Sequence, residues 1–378
     1  MSKDKTPHQS IFARHPKLTL AAFLLTLFAI LSGIDFILGQ KFLPKLAGVP
    51  NAFYHHDLKK NNKTMARWGD SQYPLVTNSL GFKDKNNRII NRQSKGRRIL
   101  FIGDSFTEGV GFPWESTFAG YFQQKVRPHG IEVLNAAVKS YSPKLYYLKT
   151  KYLIENLGLR FDELFVFVDI SDVQDEIVYQ DFHPRGRIRA LLKAVKVYAR
   201  QNFFYLNKAI YQGEQLQLRL MSFLDKIKGE KRKEPSKDRY DFWARYHQDR
   251  DQWLRDPEIF RRWGKHGLLL ADQNMEKLSH LCRENNIKMH IVVYPWPFQI
   301  LAKDRGSLHE RHWQQFAHQR NIGFLNLYPF FINDIDAASV KNDYFCAPDI
   351  HFNAKGHEYV ADILYKYWKE NHSRVDRM

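Results

Sequence analysis

The stretch FIGDSFTEGVG, residues 101–111, decides the fold. It opens as the end of an apolar run from Arg98, breaks at Gly103, and turns polar at once with Asp104 and Ser105. An unbroken apolar run of this length reads as a strand covered on both faces. A polar pair directly after it is what the carboxyl end of a strand in an open α/β sheet offers to a ligand crevice. Gly109 and Gly111 then allow a tight loop, so a serine at 105 can present its hydroxyl while nearby backbone N–H groups face the same point. The tripeptide alone is a weak signal, and the chain supplies its own control. Gly69-Asp70-Ser71 follows Arg67-Trp68 rather than an apolar run and reads as an ordinary turn.

Further apolar runs predict strands at 98–103, 131–136, 163–169, 287–294 and 322–327. Amphipathic stretches between them predict helices at 117–126, 143–155, 268–284, 307–320 and from 354 to about 369. Alternating β and α implies a three-layer α/β/α sandwich around a parallel, flavodoxin-like sheet of about five strands. Residues 54–91 read as a polar, irregular lead-in. The layout is then a basic tail at 1–17, an apolar anchor at 18–38, a lead-in at 39–96 and an α/β domain at 97–372. A helical insertion at 183–267 interrupts that domain.

The anchor reading rests on residues 18–34, LTLAAFLLTLFAILSGI, which hold no charge. Apolar residues resume after Asp35, so the stretch is about long enough for the roughly 30 Å hydrocarbon layer. Lys3, Lys5, Arg14 and Lys17 precede it, which puts the N-terminus in the cytoplasm and the rest across an inner membrane. A cleaved signal peptide should end in an A-x-A-like site, and Gly39-Gln40-Lys41 is a poor one. A core helix of a soluble domain is the remaining alternative. Asp35 falls near the outer interface, where a polar helix–helix contact is an option.

The 378 residues are 44% hydrophobic and 26% charged, which excludes a disordered chain. The net charge is +18, and residues 185–233 alone hold thirteen Lys/Arg against three acids. So local an excess reads against a nucleic-acid-binding protein and for either a lid with solvated lysines or a face for membrane or polyanion. Two cysteines, Cys282 and Cys346, exclude a disulfide framework. Their places in the predicted order put them at opposite ends of the sheet, beyond bridging distance.

A serine nucleophile needs a base and an orienting acid. The segment PDIHFNAKGH, residues 348–357, offers Asp349 and His351, which point to one side of an extended loop, with Asn353 as N-cap of the last helix. His309, His312 and His318 share one predicted helix and read as solvated. His55-His56-Asp57 lacks a further ligand for a metal site.

With these residues the chain resembles the SGNH (GDSL-like) hydrolases over roughly residues 77–369. The first family block matches at Gly103-Asp104-Ser105 and the last at Asp349 and His351, spaced D-x-H as in membrane-associated, polysaccharide-modifying relatives. Residues 291–297, IVVYPWP, resemble a strand and loop of exported members. The resemblance implies Ser105 as nucleophile, His351 as base and Asp349 as orienting acid. The oxyanion hole it implies uses Ser105, Ser140 and Ser171, with Gly103, Asp104 and Asp172 in support. Two departures stand out: Ala137 and Ser140 replace the usual glycines, and Ser171 replaces the oxyanion-binding asparagine.

The function implied is an exported serine esterase that removes acyl groups, acetyl foremost, from a cell-envelope glycan, with no metal or organic cofactor. An O-acyltransferase working beside a membrane-embedded acyl donor uses the same triad, and a non-catalytic glycan-binding or assembly protein is the third class. Trp296, Trp114 and Tyr141 are candidates for sugar contact by position alone. The partners expected are an acylated glycan, the membrane and, in the transferase reading, a membrane-bound acyltransferase, not nucleic acid.

Overall fold

The computed structural model describes residues 15–42, 48–184, 192, 195–196, 198–200, 202–213, 216, 250–333 and 336–373. The chain divides into two compact units, one of Met1–Leu46 with Leu191–Lys233 and one of Ala47–Ala190 with Glu234–Met378.

In the second unit, β1 (Gly48–Asn51) pairs with β2 (His55–Leu58), and β3 (Lys63–Trp68) with β4 (Ser71–Val76), each antiparallel. The main sheet holds β5 (Arg98–Ile102), β6 (Glu132–Asn135), β7 (Glu163–Val168), β8 (Lys288–Val293) and β9 (Gly323–Asn326). Its order is β6-β5-β7-β8-β9, all parallel. These are the five strands predicted, within one or two residues at each end. All of β5 and β7 is buried, which is why their sequences run apolar without alternation. Helices Phe118–Val126 and Ala354–Ser373 pack together on one side, and Pro143–Lys151, Asp172–Tyr179 and Lys265–Glu284 on the other, giving three layers.

Phe101 ties strands to helix: its ring lies 5.3 Å from Phe122, 5.0 Å from Phe167 and 5.5 Å from Phe165. Burying such a side chain contributes roughly 2–3 kcal/mol in transfer alone. The chain leaves β5 for β6 on one side and returns to β7 on the other. Strand order therefore reverses beside β5, and the crevice this creates opens at the carboxyl end, where Ser105 stands.

The lead-in is not irregular. Its two hairpins bury Tyr54, Leu58, Tyr73 and Leu75 in the core. Asp57 pairs with Lys149 at 2.7 Å, both side chains almost wholly buried, and Tyr54, Phe82 and Tyr141 surround the ammonium at 5.1–5.5 Å. Residues 250–267, assigned by sequence to the insertion, also fold with the sheet. The Trp253 indole donates to the Ile170 carbonyl at 2.9 Å. Gly267 lies so close to Val173 that a Cβ would stand 2.2 Å from its carbonyl oxygen.

In the first unit, Pro16–Phe42 is one helix, long and apolar enough to cross a membrane, with mean hydropathy 2.3 over its best window. Most of the basic cluster, including 217–233, lies outside the described residues.

Both cysteines are free thiols. His309, expected in solvent, is fully buried. It shares a helical stripe with Trp313, Phe316 and Ala317, and its Nε2–H donates to the Val168 carbonyl at 3.2 Å. His312 instead meets Asp272 at 2.6 Å, and His318 is exposed.

Burial lowers His309 to about 4 and His357 to about 3. His357 Nδ1 accepts from the Phe118 N–H, a bond that protonation there would break. In an unfolded chain both would titrate near about 6.5. Between those values the unfolded state binds more protons, so this contribution is complete above pH 6.5 and falls as pH drops, by up to about 1.4 kcal/mol per pH unit for each. Denaturant midpoints should fall between pH 7 and 5, and His309→Asn should flatten the dependence. An unchanged slope in that variant would refute the assignment.

Candidate active site

Gly103 ends β5 because only glycine fits. A Cβ there would stand 2.3 Å from Thr107 Oγ1 and 3.1 Å from Phe167. The chain then turns into the short helix Ser105–Glu108, with Asp104 as N-cap accepting from the Phe106 N–H at 3.0 Å. Ser105 is the first helical residue, so its N–H has no partner within the helix. Gly109 closes the helix at φ 72°, as expected of a left-handed C-terminal glycine.

From the other end of the domain, Asp349 and His351 arrive on the loop before the last helix. Asn353, expected as its N-cap, accepts from the Gly356 N–H at 2.9 Å, while its amide donates to the Asp343 carbonyl. His351 Nε2 lies 2.8 Å from Ser105 Oγ, and His351 Nδ1 lies 2.9 Å from Asp349 Oδ1. Ser105 and His351 are nearly buried, at 7% and 6% exposed. Burial would raise Asp349, but the hydrogen bond and charge of His351, then the Trp68 indole and the Ile350 N–H, bring it down to about 2. A carboxylate only accepts, so Nδ1 carries the imidazole proton and Nε2 is left to accept from the Ser105 hydroxyl.

The Ser105 hydroxyl has a second neighbour, Asp104 Oδ2, at 3.1 Å. Burial, then the nearby Asp169, pushes the Asp104 carboxyl well above its usual range. Tyr294 donates to its other oxygen at 3.3 Å.

The loop after β6 is sewn to the nucleophile helix. Asn135 Nδ2 donates to the Thr107 carbonyl at 2.7 Å, and the Lys139 N–H to Glu108 Oε2 at 2.8 Å. Ser140 takes φ 60°, the left-handed conformation that glycine would adopt without strain. Tyr179 holds it by donating to the Ser140 carbonyl at 2.8 Å. Among the described residues nothing accepts from the Ser140 N–H, so it remains open as a donor despite the exchange of glycine for serine.

Ser171 is placed differently from expectation. Its hydroxyl donates to Asp169 Oδ1 at 2.5 Å and its N–H to the same oxygen at 2.8 Å. A short hydroxyl two residues after an aspartate is captured locally, where a longer amide could reach outward. The donors left for an oxyanion are the backbone N–H groups of Ser105 and Ser140. Asp172 acts within the core, accepting from Tyr146 at 2.9 Å and from the Asp169 N–H at 3.1 Å.

The three aromatic residues offered for sugar contact are buried, at 5%, 8% and 0% exposed for Trp296, Trp114 and Tyr141. The Trp296 indole donates to Asp169 Oδ2 at 2.8 Å, and the Tyr141 hydroxyl to the His56 carbonyl at 2.6 Å. Of the three, Trp296 lies nearest the site, its ring stacked on Phe106 at 6.5 Å. Among the described residues no His/Cys/Asp/Glu group of three or more is arranged to hold a metal. His55 and His56 pair with each other through their Nδ1 atoms at 2.8 Å, while Asp57 turns to Lys149.

Trp68 is the functional residue the sequence reading missed. The turn at Gly69-Asp70 reverses β3 into β4, with Trp68 facing Ser71 across it. The Trp68 indole donates to Asp349 Oδ2 at 2.5 Å, and its ring meets His351 edge-on at 4.9 Å. The second GDS is a turn, but the residue just ahead of it completes the acid's hydrogen bonding.

No protein-family model and no curated protein matches the chain. Among solved structures it is similar to the psychrotrophic esterase EstA from Pseudoalteromonas, at 12% identity over 73% of this chain and 99% of that one, with a TM-score of 0.38. It is also similar to a mutant of the acetyl-xylooligosaccharide esterase Axe2 from Geobacillus, at 13% identity over 73% and 96%, TM-score 0.40. A third is a G-D-S-L family lipolytic protein from Desulfitobacterium hafniense, at 13% identity over 71% and 98%, TM-score 0.36.

Trp68→Phe keeps an aromatic ring and deletes the N–H. Hydrogen bonds to charged groups contribute about 1.5–3 kcal/mol, of which only part bears on His351. Labelling of Ser105 by a serine-directed phosphonate should slow about 3–10-fold. If Trp68 works through Asp349, adding Trp68→Phe to Asp349→Ala should slow it no further. Additive losses would show that Trp68 acts elsewhere.

Proposed function

We propose that the chain is an exported, membrane-anchored serine esterase of the SGNH type, acting on acyl esters of a cell-envelope glycan. The observation that supports it is the continuous chain Ser105 Oγ, His351 Nε2, His351 Nδ1, Asp349 Oδ1, with links of 2.8 and 2.9 Å. Ser105 Oγ attacks the acyl carbonyl as its proton passes to His351 Nε2, and the imidazolium that forms is held by the Asp349 carboxylate. The Ser105 and Ser140 N–H groups face the developing oxyanion. His351 then returns the proton to the leaving sugar oxygen, and water, deprotonated by the same Nε2, releases the acid and frees Ser105.

With Ser171 occupied by Asp169, the hole lacks a side-chain donor. Loss of one such donor costs on the order of 10²–10³ in rate. Simple esters bring little remote binding energy to offset that, so a glycan ester should be cleaved faster than a small aryl acetate. Helix Pro16–Phe42 and the basic residues before it support attachment to the inner membrane with the α/β unit beyond it. An O-acyltransferase fed by a membrane-embedded donor would use the same acyl-serine and differ only in the second acceptor.

A serine-directed phosphonate should label Ser105, and Ser105→Ala should abolish both labelling and turnover while Ser71→Ala changes neither. Retained labelling in Ser105→Ala would overturn the nucleophile. With an acetylated oligosaccharide and an unmodified acceptor supplied together, free acetate supports the esterase, acyl transfer to the acceptor supports the transferase, and neither product ends both.

Topology is tested separately. A periplasm-dependent reporter fused after Met378 should be active, and activity of a cytoplasm-only reporter there would reverse the orientation.

A further inference from the structure

The apolar stretch 18–34 ends at Asp35. At 1.5 Å per residue its seventeen residues span about 26 Å, close to the roughly 30 Å hydrocarbon layer. If the helix crosses a membrane as proposed above, Asp35 lies where the hydrocarbon gives way to headgroups.

Asp35 does not face lipid alone. Its carboxylate accepts from the Tyr205 N–H at 2.6 Å and from the Leu206 N–H at 3.2 Å. Residues 204–213 are helical, and Phe203, whose carbonyl accepts from the Asn207 N–H, stands in the N-cap position. Phenylalanine has no side-chain acceptor, so the first-turn N–H groups would go unmet. Asp35 supplies the missing cap from another helix, and the positive end of the helix dipole favours its charge.

The surrounding contacts fix the same register. Gly39 is the one buried residue of the anchor, and a Cβ there would stand 2.0 Å from the Asn202 carbonyl oxygen. Gln40 donates to Asn202 Oδ1 at 3.0 Å. Phe36 meets Phe203 at 5.6 Å between ring centres, and Phe42 meets Phe204 at 6.0 Å. Residues 202–206 therefore sit beside residues 35–42, at the level where the apolar stretch ends.

At that level Tyr205 is 60% and Leu206 42% exposed, with Lys41 and Lys208 exposed close by. Tyrosine, an aliphatic side chain and lysines at one depth form the composition of a membrane-interface belt. We infer that residues 203–206 are seated by Asp35 and Gly39 in the headgroup layer of the membrane the anchor crosses, where they bind anionic phospholipid. The partner follows from the depth set by Asp35 and from the positive charge beside it. The start of the basic insertion is thereby tied to the membrane at a second point.

The test uses the full chain in vesicles of phosphatidylcholine mixed with phosphatidylglycerol, an anionic lipid that attracts nearby Lys and Arg, with the photoreactive benzoylphenylalanine in place of Tyr205. Irradiation should join peptide 205 to phospholipid, detected by mass. Yield should drop at least about threefold in phosphatidylcholine alone, and at least about fivefold with Asp35→Ala or Gly39→Leu. Both variants should keep phosphonate labelling of Ser105, which shows the α/β unit intact. If alkaline carbonate strips the protein from the vesicles, the anchor reading fails and this inference with it. If the protein stays bound and position 205 joins no lipid, joins both lipids equally, or ignores the two variants, the inference alone is overturned.

Discussion

One hydrogen bond, from Ser105 Oγ to His351 Nε2 at 2.8 Å, joins residues 246 positions apart. Closing it requires β5 to end in a turn tight enough to lift Ser105 out of the sheet, which Gly103 permits by letting Thr107 pack against it. It also requires the final loop to reach back over that turn. Phe106, the residue after Ser105, lies against the His351 ring at 4.5 Å and against Phe352 at 5.2 Å. The core thus extends under the loop that carries His351. Ser105 and His351 are held by packing, and the hydrogen bonds between them and Asp349 refine what the packing has placed.

Around that bond the structure spends buried polar groups freely. Asp104, Asp169 and Asp172 lie together behind the site, served by Tyr146, Tyr294, Trp296 and Ser171. Burial pushes Asp104 and Asp172 up, and their hydrogen bonds tie them into the core behind the site. Asp349 is driven the opposite way, to about 2, by His351 and Trp68. The acids at one site are sorted by their partners, and that sorting leaves His351 one strong anion to lean on.

The sheet was legible because strands covered on both faces must be apolar throughout, and runs such as ILFI and ELFVFV cannot be read otherwise. The convergence of Ser105, Asp349 and His351 was legible because each follows a feature with a fixed place in such a fold. Trp68 was not. Its role depends on a hairpin whose strands are short and mixed in polarity, and which meets residues far along the chain, Lys139 over the Trp68 ring among them. His309 was misread because histidine composition outweighed its spacing to Trp313 and Phe316. Trp296, Trp114 and Tyr141 were offered for sugar contact by position alone and are buried, since loop position does not tell which way a large ring turns. Ser171 shows the same gap at the scale of one hydroxyl.

The cap between Asp35 and the Tyr205 N–H joins residues 170 positions apart. At about 5–20 residues per second of synthesis, the Asp35 carboxylate emerges on the order of ten to thirty seconds before its partner exists. Through that interval the anchor carries an acid with no helix end to serve. The two helices can meet only after β5, β6 and β7 of the main sheet have already been made.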